Sequence, residues 1–295
     1  MRLASRFFKV LAGGLVLVVS SSTARAGFDP QVGQPGSLGI PASSPLFTEW
    51  ASSVVSFDPG PQDITNPNSP LVTFGSPSNI LGPRTGDSTY SVLSLGDGGS
   101  ITLGFDRPIT NGAGADFAVF ENGFLSGGAG MAFLELAFVD VSSDGVNFFR
   151  FPSISLTQTD TQVGGFGLLD ASNLHNLAGK YIAGYGTGFD LDDLVGVSPL
   201  LDVDHVSFVR ITDVVGSIDP RYGSRDSLGN LINDPFKTPF GSSGFDLSGV
   251  GVIHAANAPV AAVPEPSSFA LGFCGIAIAA AAVRARSARS GRLAA

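Results

Sequence analysis

The sequence is poor in the residues that disulfide bonds, zinc sites and thiol chemistry require. Its 295 residues include one cysteine and three histidines. The cysteine, Cys274, lies in an apolar stretch near the C-terminus, so the body of the chain has neither a disulfide bond nor a thiolate nucleophile. The histidines form no His-x-x-x-His or Glu-x-x-His pair, and no Gly-x-Ser-x-Gly motif occurs. These absences argue against thiol, zinc-hydrolase and serine-hydrolase chemistry.

Positive charge is also scarce in the middle of the chain. Residues 27–263 hold eight of the 16 basic residues and 24 of the 25 acidic residues, a formal net charge of −16. Such a body repels nucleic acid phosphates, so no nucleic acid partner is expected. The same charge suits the binding of divalent cations.

Both ends of the chain look like targeting segments. Residues 1–26 combine a cationic start, a short apolar centre and small residues at Ala24 and Ala26, the pattern of a signal peptide that signal peptidase removes. Residues 256–266 read as an Ala/Pro linker. Residues 267–283 carry no charge and are long enough to cross a membrane, although only marginally, and residues 284–295 form an Arg-rich cytoplasmic tail.

The order of features at the C-terminus is specific. Val263, Pro264, Glu265 and Pro266 precede the apolar stretch, and Arg284 and Arg286 follow it directly. This arrangement resembles the PEP-CTERM sorting signal of exported bacterial proteins. The resemblance implies that an exosortase-type enzyme in the inner membrane recognises the tail, cleaves near the Pro-Glu-Pro motif and passes the protein to the cell surface or extracellular matrix. A permanent single-pass anchor is the alternative.

Residues 27–255 predict a single all-β domain. Gly and Pro supply 58 residues of the chain, and short apolar runs stand between them, as in strands joined by turns. Asp144-Gly145 predicts a tight hairpin turn. Several runs are apolar on both faces, which predicts a two-sheet, jelly-roll-like sandwich with long Gly/Pro-rich loops. Six strands are expected, starting at Ser100, Asp116, Phe133, Val146, His205 and Phe245.

Two stretches of the body carry a resemblance to known domains. "VSSDGVNFFRF" and "VSFVRITDV" resemble the hairpin and strand of galactose-binding-like jelly rolls of the discoidin type. The wider set from Ser94 to Ile253, including "ADFAVFENGF" and "GFDLSGVGVI", is similar to a family of bacterial cell-surface proteins, many with PEP-CTERM tails. These resemblances imply a fold and a location, and they leave the activity open.

Several acidic residues stand beside glycine at predicted strand ends and suggest a structural calcium ion. Calcium binds several oxygen ligands, and glycine lets the backbone fold around the ion. The jelly-roll resemblance implies the same, since many such domains hold structural calcium. Simple turn residues are the alternative for each position. The candidate ligands are Asp97, Asp116, Glu121, Asn122 and Asp246.

A glycan site is predicted in the segment 178–194. Tyr181, Tyr185 and Phe189 offer aromatic faces for sugar rings, with acids nearby for the hydroxyl groups. A loop that buries its own aromatic residues is the alternative.

The leading functional hypothesis is therefore a non-enzymatic surface or matrix protein that binds glycan or exopolysaccharide. One alternative is a secreted glycan-active hydrolase with Glu121 or Glu135 and an aspartate as its carboxylates, and another is a purely structural matrix component. A hydrolase predicts a cleft with two facing acids. A binding module predicts a shallow surface with aromatic residues.

Overall fold

The computed structural model describes residues 27–84, 91–128 and 130–256. Their regular structure consists of β-strands and three short 3₁₀ helices, and no α-helix occurs within these ranges. None of the helices described is long and apolar enough to cross a membrane. The predicted signal peptide, sorting motif, membrane segment and Arg-rich tail all lie outside the described residues.

The strands are short, and several are followed by turns that contain glycine. In chain order they are β1 (Ile40–Pro41), β2 (Glu49–Trp50), β3 (Ser53–Asp58), β4 (Leu93–Ser94), β5 (Ser100–Ile109), β6 (Phe117–Phe120), β7 (Phe124–Leu125), β8 (Met131–Phe133), β9 (Ala137–Ser142), β10 (Phe149–Arg150), β11 (Ile154–Ser155), β12 (Leu169–Asp170), β13 (Leu174–His175), β14 (Tyr185–Phe189), β15 (Val206–Asp213), β16 (Asp246–Leu247) and β17 (Gly249–Val252). The 3₁₀ helices are Pro77–Ile80, Ala171–Asn173 and Leu191–Leu194.

Two five-stranded antiparallel sheets form the frame of the domain. One has the order β1-β14-β6-β17-β2, and the other has the order β10-β9-β15-β5-β3. Smaller antiparallel sheets join β12-β8-β7, β11-β13 and β16-β4. The prediction of an all-β fold is therefore confirmed.

The main hydrophobic core combines residues of both large sheets. Leu103 and Val139 come from one sheet, and Phe117 and Val250 come from the other. Phe117, Phe151 and Phe189 pack ring to ring within this core, with centroids 5.1–5.9 Å apart. Burial of such large apolar rings is a dominant source of stability in a domain that has no disulfide bond.

Two of the predicted strands are each divided in the structure. The run that starts at Phe133 becomes β8 and β9, and the interruption contains Glu135. There the backbone N–H of Leu136 donates to the Asp234 carboxylate instead of to a neighbouring strand, at 3.1 Å. The run that starts at Phe245 becomes β16 and β17. Both breaks occur where the chain passes from a small sheet to a large one.

The predicted turn at Asp144-Gly145 lies between β9 and β10, which pair in antiparallel register with Phe149 opposite Val141. Gly145 has a φ of +76°, the left-handed region that a side chain would disfavour. The Asp144 carboxylate accepts hydrogen bonds from the N–H groups of Val146 and Asn147, both at 2.8 Å. A turn is confirmed at this place, with Asp144 as its internal cap, but six residues separate β9 from β10, so the connection is longer than the predicted tight hairpin turn.

Candidate functional site

Strand β6 has a buried carboxylate at each end. Asp116 precedes its first residue, Phe117, and Glu121 follows its last residue, Phe120. Both residues are buried, yet the two carboxylates have very different surroundings. Both were predicted as calcium ligands of one kind, so the difference between them is informative.

Both carboxylate oxygens of Asp116 have hydrogen-bond partners. Its Oδ1 accepts from the backbone N–H of Gly112 and pairs with His254 Nδ1, both at 2.7 Å. Its Oδ2 accepts from the N–H of Leu191, also at 2.7 Å. Asp116 therefore ties three chain segments together and has the character of a structural carboxylate.

Glu121 belongs to a different environment, which we call the carboxylate cluster. Its members come from separate elements that meet at one end of β6, and all are buried. Every member except Glu135 influences the pKa of at least one other member through its charge, and four members act on Glu135. The carboxylate cluster consists of Asp97, Glu121, Glu135, Asp213, Asp234 and Asp246.

Neutral donors hold several of these carboxylates in place. Asp246 accepts from Asn122 Nδ2 at 3.0 Å and from the Ser94 hydroxyl. Asp213 accepts from the backbone N–H groups of Phe245 and Gly98, at 2.7 and 2.8 Å. These bonds fix the geometry of the carboxylate cluster but supply no positive charge.

Burial, followed by mutual repulsion, disturbs the protonation of the carboxylate cluster. Burial raises the pKa of Asp97 to about 6 and that of Asp246 to about 6. The pKa of Glu135 is raised well above its ordinary value, first by burial and then by the charges of Asp246 and Glu121. Burial likewise raises the pKa values of Glu121, Asp213 and Asp234. The charged form of each group is thus disfavoured in the folded protein.

Little positive charge compensates these acids. Within the described ranges, no lysine, arginine or histidine forms an ion pair with a member of the carboxylate cluster. Lys237 lowers the pKa of Asp97 slightly, but its Nζ is already paired with Asp63 at 3.1 Å. Six unpaired charges cannot persist in a dry interior, so protons or a cation must neutralise them.

Glu121 retains one unused oxygen. Its Oε2 accepts from the N–H of Gly123 at 2.5 Å, but its Oε1 is buried and has no hydrogen-bond partner in the part of the chain that is described. No three acidic, histidine or cysteine side chains among these residues form a ready-made metal-binding group. The carboxylate cluster is therefore a set of close pairs and not a closed ligand cage.

Four phenylalanine rings form a row that we call the phenylalanine ladder, and two of them, Phe124 and Phe133, lie in the chain between Glu121 and Glu135. Phe124 stacks on Phe133 at a centroid distance of 5.1 Å, Phe133 contacts Phe166 at 6.2 Å, and Phe166 contacts Phe240 at 6.1 Å. Phe124, Phe166 and Phe240 are 50, 74 and 51 % exposed, while Phe133 is nearly buried. Four adjoining rings with three of them in solvent form an apolar surface that a soluble monomer rarely displays without a use.

The phenylalanine ladder and the carboxylate cluster share their supporting backbone. Phe124 lies opposite Phe133 in the β7–β8 pair, and Glu121 and Glu135 flank that pair in sequence. Phe240 belongs to the loop before β16. In that loop the hydroxyl groups of Ser243 and Thr238 share a hydrogen bond of 3.1 Å. Asp246 then begins β16. Two segments, residues 121–135 and 238–246, therefore contribute to both features.

The predicted metal ligands are only partly brought together. Asp97, Glu121, Asn122 and Asp246 lie in or beside the carboxylate cluster, and Asn122 contacts Asp246 directly. Asp116 is held apart, with its oxygens engaged by His254 and two backbone N–H groups. Its position beside glycine resembles that of the others in sequence, but its role in the structure is different.

The predicted glycan-binding aromatics do not form a common surface. Phe189 is buried in the main core against Phe117, and Tyr181 is 3 % exposed, so neither ring face is open to a sugar. Tyr185 is 37 % exposed. Tyr181 instead lines a cavity of about 370 Å³ together with Lys180, Thr187 and other polar residues.

Sequence reasoning missed the phenylalanine ladder and two members of the carboxylate cluster, Asp213 and Asp234, and it named Glu135 only as a possible hydrolase carboxylate. Neighbouring glycines do not identify the exposed rings. Phe124, Phe166 and Phe240 each adjoin glycine, but Phe189 and Phe245 also follow glycine and are buried. Glu135, Asp213 and Asp234 carry no local signal either, since they look like ordinary acids at strand and loop positions.

Comparison with known proteins adds no assignment. No protein-family model matches the chain, and no curated protein matches it. The fold and site together define a β-sandwich-like domain with an exposed aromatic surface and a cluster of buried carboxylates. The function has to be argued from these features.

Proposed function

We propose that this protein is an exported, non-enzymatic surface or matrix protein that binds polysaccharide on the phenylalanine ladder. In this proposal the domain is a two-sheet, jelly-roll-like sandwich, and an exosortase-type system sorts it by its C-terminal signal. The single observation that carries the binding role is the row of four rings with Phe124, Phe166 and Phe240 exposed.

The chemistry of the phenylalanine ladder suits a chain of sugars. The C–H faces of a pyranose ring are apolar and pack against the electron-rich face of an aromatic ring. Rings spaced 5.1–6.2 Å apart offer repeated contacts to an extended ligand instead of one enclosed pocket. Ser126, exposed in the adjoining turn, provides a hydroxyl beside the apolar strip. A shallow aromatic surface is what the binding hypothesis requires.

The hydrolase alternative receives less support. Glu121 and Glu135 are buried, and neither lines either of the two main cavities found in the described residues. A glycosidase needs two carboxyl groups on opposite sides of an open cleft, so that the glycosidic bond can lie between them. The raised pKa of Glu135 comes first from burial and then from neighbouring acids, which is an interior property.

A second location for a small saccharide is the 370 Å³ cavity beside Tyr181. Thr187 Oγ1 and Asp29 Oδ2, from two residues that line this cavity, are buried and lack hydrogen-bond partners among the described residues. Such atoms match ligand hydroxyl groups. This cavity suits one sugar unit, whereas the phenylalanine ladder suits a chain.

The proposal is tested by measuring binding to a panel of soluble and insoluble polysaccharides. The full chain is expressed, and the form that remains after cellular processing is purified for the measurement. Phe124→Ala, Phe166→Ala and Phe240→Ala are each expected to weaken binding about tenfold or more, a loss near 1.4 kcal/mol. Tyr185→Ala is the matched control, because it removes an exposed ring outside the phenylalanine ladder.

The outcomes separate the alternatives. If Thr187→Val loses polysaccharide binding and the three Phe variants keep it, the binding site is the cavity and not the phenylalanine ladder. Absence of binding to every polysaccharide would favour the purely structural component. Release of shorter sugars from the polysaccharide would favour the hydrolase.

The sorting part of the proposal has its own test. Glu265→Ala alters the Pro-Glu-Pro motif and leaves the apolar segment and arginines unchanged. Processing near the motif predicts that the wild-type chain loses its tail and that the variant stays with the membrane, as intact mass and fractionation would record. Identical fractionation of both proteins would favour the permanent anchor.

A further inference from the structure

The carboxylate cluster has a charge problem that its own residues do not solve. The charge of Asp246 acts on Glu121, Glu135 and Asp213. No basic group is among the charges that shift the pKa of Glu121, Asp234 or Asp246 within the described structure. A positively charged ligand would relieve this repulsion.

One atom indicates where such a ligand would bind. Glu121 Oε1 is buried without a hydrogen-bond partner in the described ranges, although Oε2 of the same carboxylate is engaged by Gly123. A buried carboxylate oxygen that receives no hydrogen bond costs free energy unless a cation or a proton occupies it. Asp246 lies near Glu121, because it accepts a hydrogen bond at 3.0 Å from Asn122, the next residue in the chain.

We propose that a calcium ion binds between Glu121 and Asp246, at the base of the β7–β8 pair. Two carboxylates match the double charge of the ion. The Ser94 hydroxyl, which donates to Asp246 Oδ1, supplies a neutral oxygen at the same place, and Asn122 holds Asp246 in position through its Nδ2. Calcium accepts six to eight oxygen ligands in irregular geometry, including amide, hydroxyl and water oxygens. Magnesium requires near-ideal octahedral geometry and keeps its waters, which suits a buried site less well.

The proposal agrees with the lack of any preformed group of three acidic ligands in the described chain. Only two acids are needed directly, and the rest of the shell is neutral. Asp97, Glu135, Asp213 and Asp234 then stabilise the ion at longer range or remain protonated. This inference stands independently of glycan binding, because the metal itself is measured.

The test uses the full chain after chelation and desalting. Calcium is titrated by calorimetry, and the metal content of the protein is measured after equilibration and gel filtration. We expect one calcium ion per chain and a saturable rise in the melting temperature of about 5 °C or more at 100 times Kd. Magnesium at the same concentration is expected to give a much smaller rise.

Glu121→Gln and Asp246→Asn keep the shape of each side chain and remove its charge, and each is expected to weaken calcium binding at least about tenfold. Asp116→Asn is the matched control, because Asp116 is equally buried but lies at the other end of β6. This control is expected to bind calcium with unchanged affinity even if it melts at a lower temperature.

Three results would overturn the proposal. The first is a wild-type protein that binds no calcium and shows no change in melting temperature, which leaves protons as the neutralising charge. The second is an equal rise in melting temperature with calcium, magnesium and sodium, which indicates general ionic screening. The third is calcium binding by both charge-removing variants as tight as that of the wild type, which excludes this location. If one variant fails to fold, the wild-type titration and the other variant still decide the matter.

Discussion

The two ends of strand β6 show two ways of burying a carboxylate. At the first end, Asp116 accepts two backbone hydrogen bonds and pairs with His254, and the neighbouring ring of Phe117 is buried in the core. At the other end, Glu121 leaves one oxygen unused, and the neighbouring Phe124 lies in solvent. The first end uses its residues to hold the fold together, whereas the second end leaves a buried carboxylate oxygen without a hydrogen bond and an aromatic ring half in solvent.

The largest expected effect concerns the aromatic residues at the two ends. Phe117→Ala removes a buried ring that packs on Phe151 and Phe189, and it is expected to lower the free energy of unfolding by about 4 kcal/mol. Phe166→Ala, in the phenylalanine ladder, is expected to change it by about 0.5 kcal/mol or less. Urea unfolding of both variants provides the measurement. A similar loss in both variants would show that the phenylalanine ladder is part of the core.

The next effect concerns Asp116 itself. Asp116→Ala leaves the N–H groups of Gly112 and Leu191 without their acceptor and leaves His254 without its partner. We expect a loss of about 3 kcal/mol in the free energy of unfolding, measured in urea with chelator present. A loss below about 1 kcal/mol would contradict the structural role assigned to this carboxylate.

The carboxylate cluster predicts a distinctive pH dependence of the metal-free protein. Asp97 and Asp246 have a folded-state pKa of about 6, raised from 3.8. The folded state therefore binds protons more tightly than the unfolded state, so stability is greatest below pH 4 for these groups and falls as the pH rises through about 6. Each contributes at most about 3 kcal/mol.

Urea midpoints between pH 4 and pH 8, with chelator present, measure this dependence. Asp246→Asn is expected to remove the part of the loss of stability with rising pH that comes from Asp246. Calcium is expected to restore stability at the upper end of the range, since it takes the place of the lost protons. Stability that stays level or increases from pH 4 to pH 7 in the metal-free protein would contradict the unpaired character of the carboxylate cluster.

The smallest expected effect comes from Glu135→Gln. Burial and the neighbouring acids raise the pKa of Glu135 well above its ordinary value, which favours the neutral carboxyl, and the amide is a close substitute for that form. We expect the free energy of unfolding of the metal-free protein to change by no more than about 1 kcal/mol. A loss of several kcal/mol would mean that Glu135 carries a charge with a specific partner, as Asp116 does.

Several features of the fold follow from local sequence. Short apolar runs separated by Gly and Pro predicted the all-β class, and the strands at Ser100 and His205 correspond closely to β5 and β15. Asp144-Gly145 predicted a turn because the required backbone angle and the side-chain cap are both local properties. The strand β3 was missed, since its residues are mostly exposed and their alternation is weak.

The site was harder to predict, because its members meet only through long-range pairing. Ser94 and Asp246 are 152 positions apart in the chain, and antiparallel pairing of β4 with β16 places them side by side. Asp116 and Glu121 both follow the pattern of an acid near glycine at a strand end, yet only the fold decides that one meets His254 and the other meets Asp246.

The sequence by itself determined the absence of disulfide bonds from the body, the strongly acidic charge and the β-rich class, because composition and local periodicity specify these properties. Tertiary structure alone decided which acids lie together and which aromatic rings remain in solvent. Burial and electrostatic coupling depend on distances between segments remote in the chain. Phe189 and Phe166 are equally apolar, and only packing places one in the core and the other on the surface.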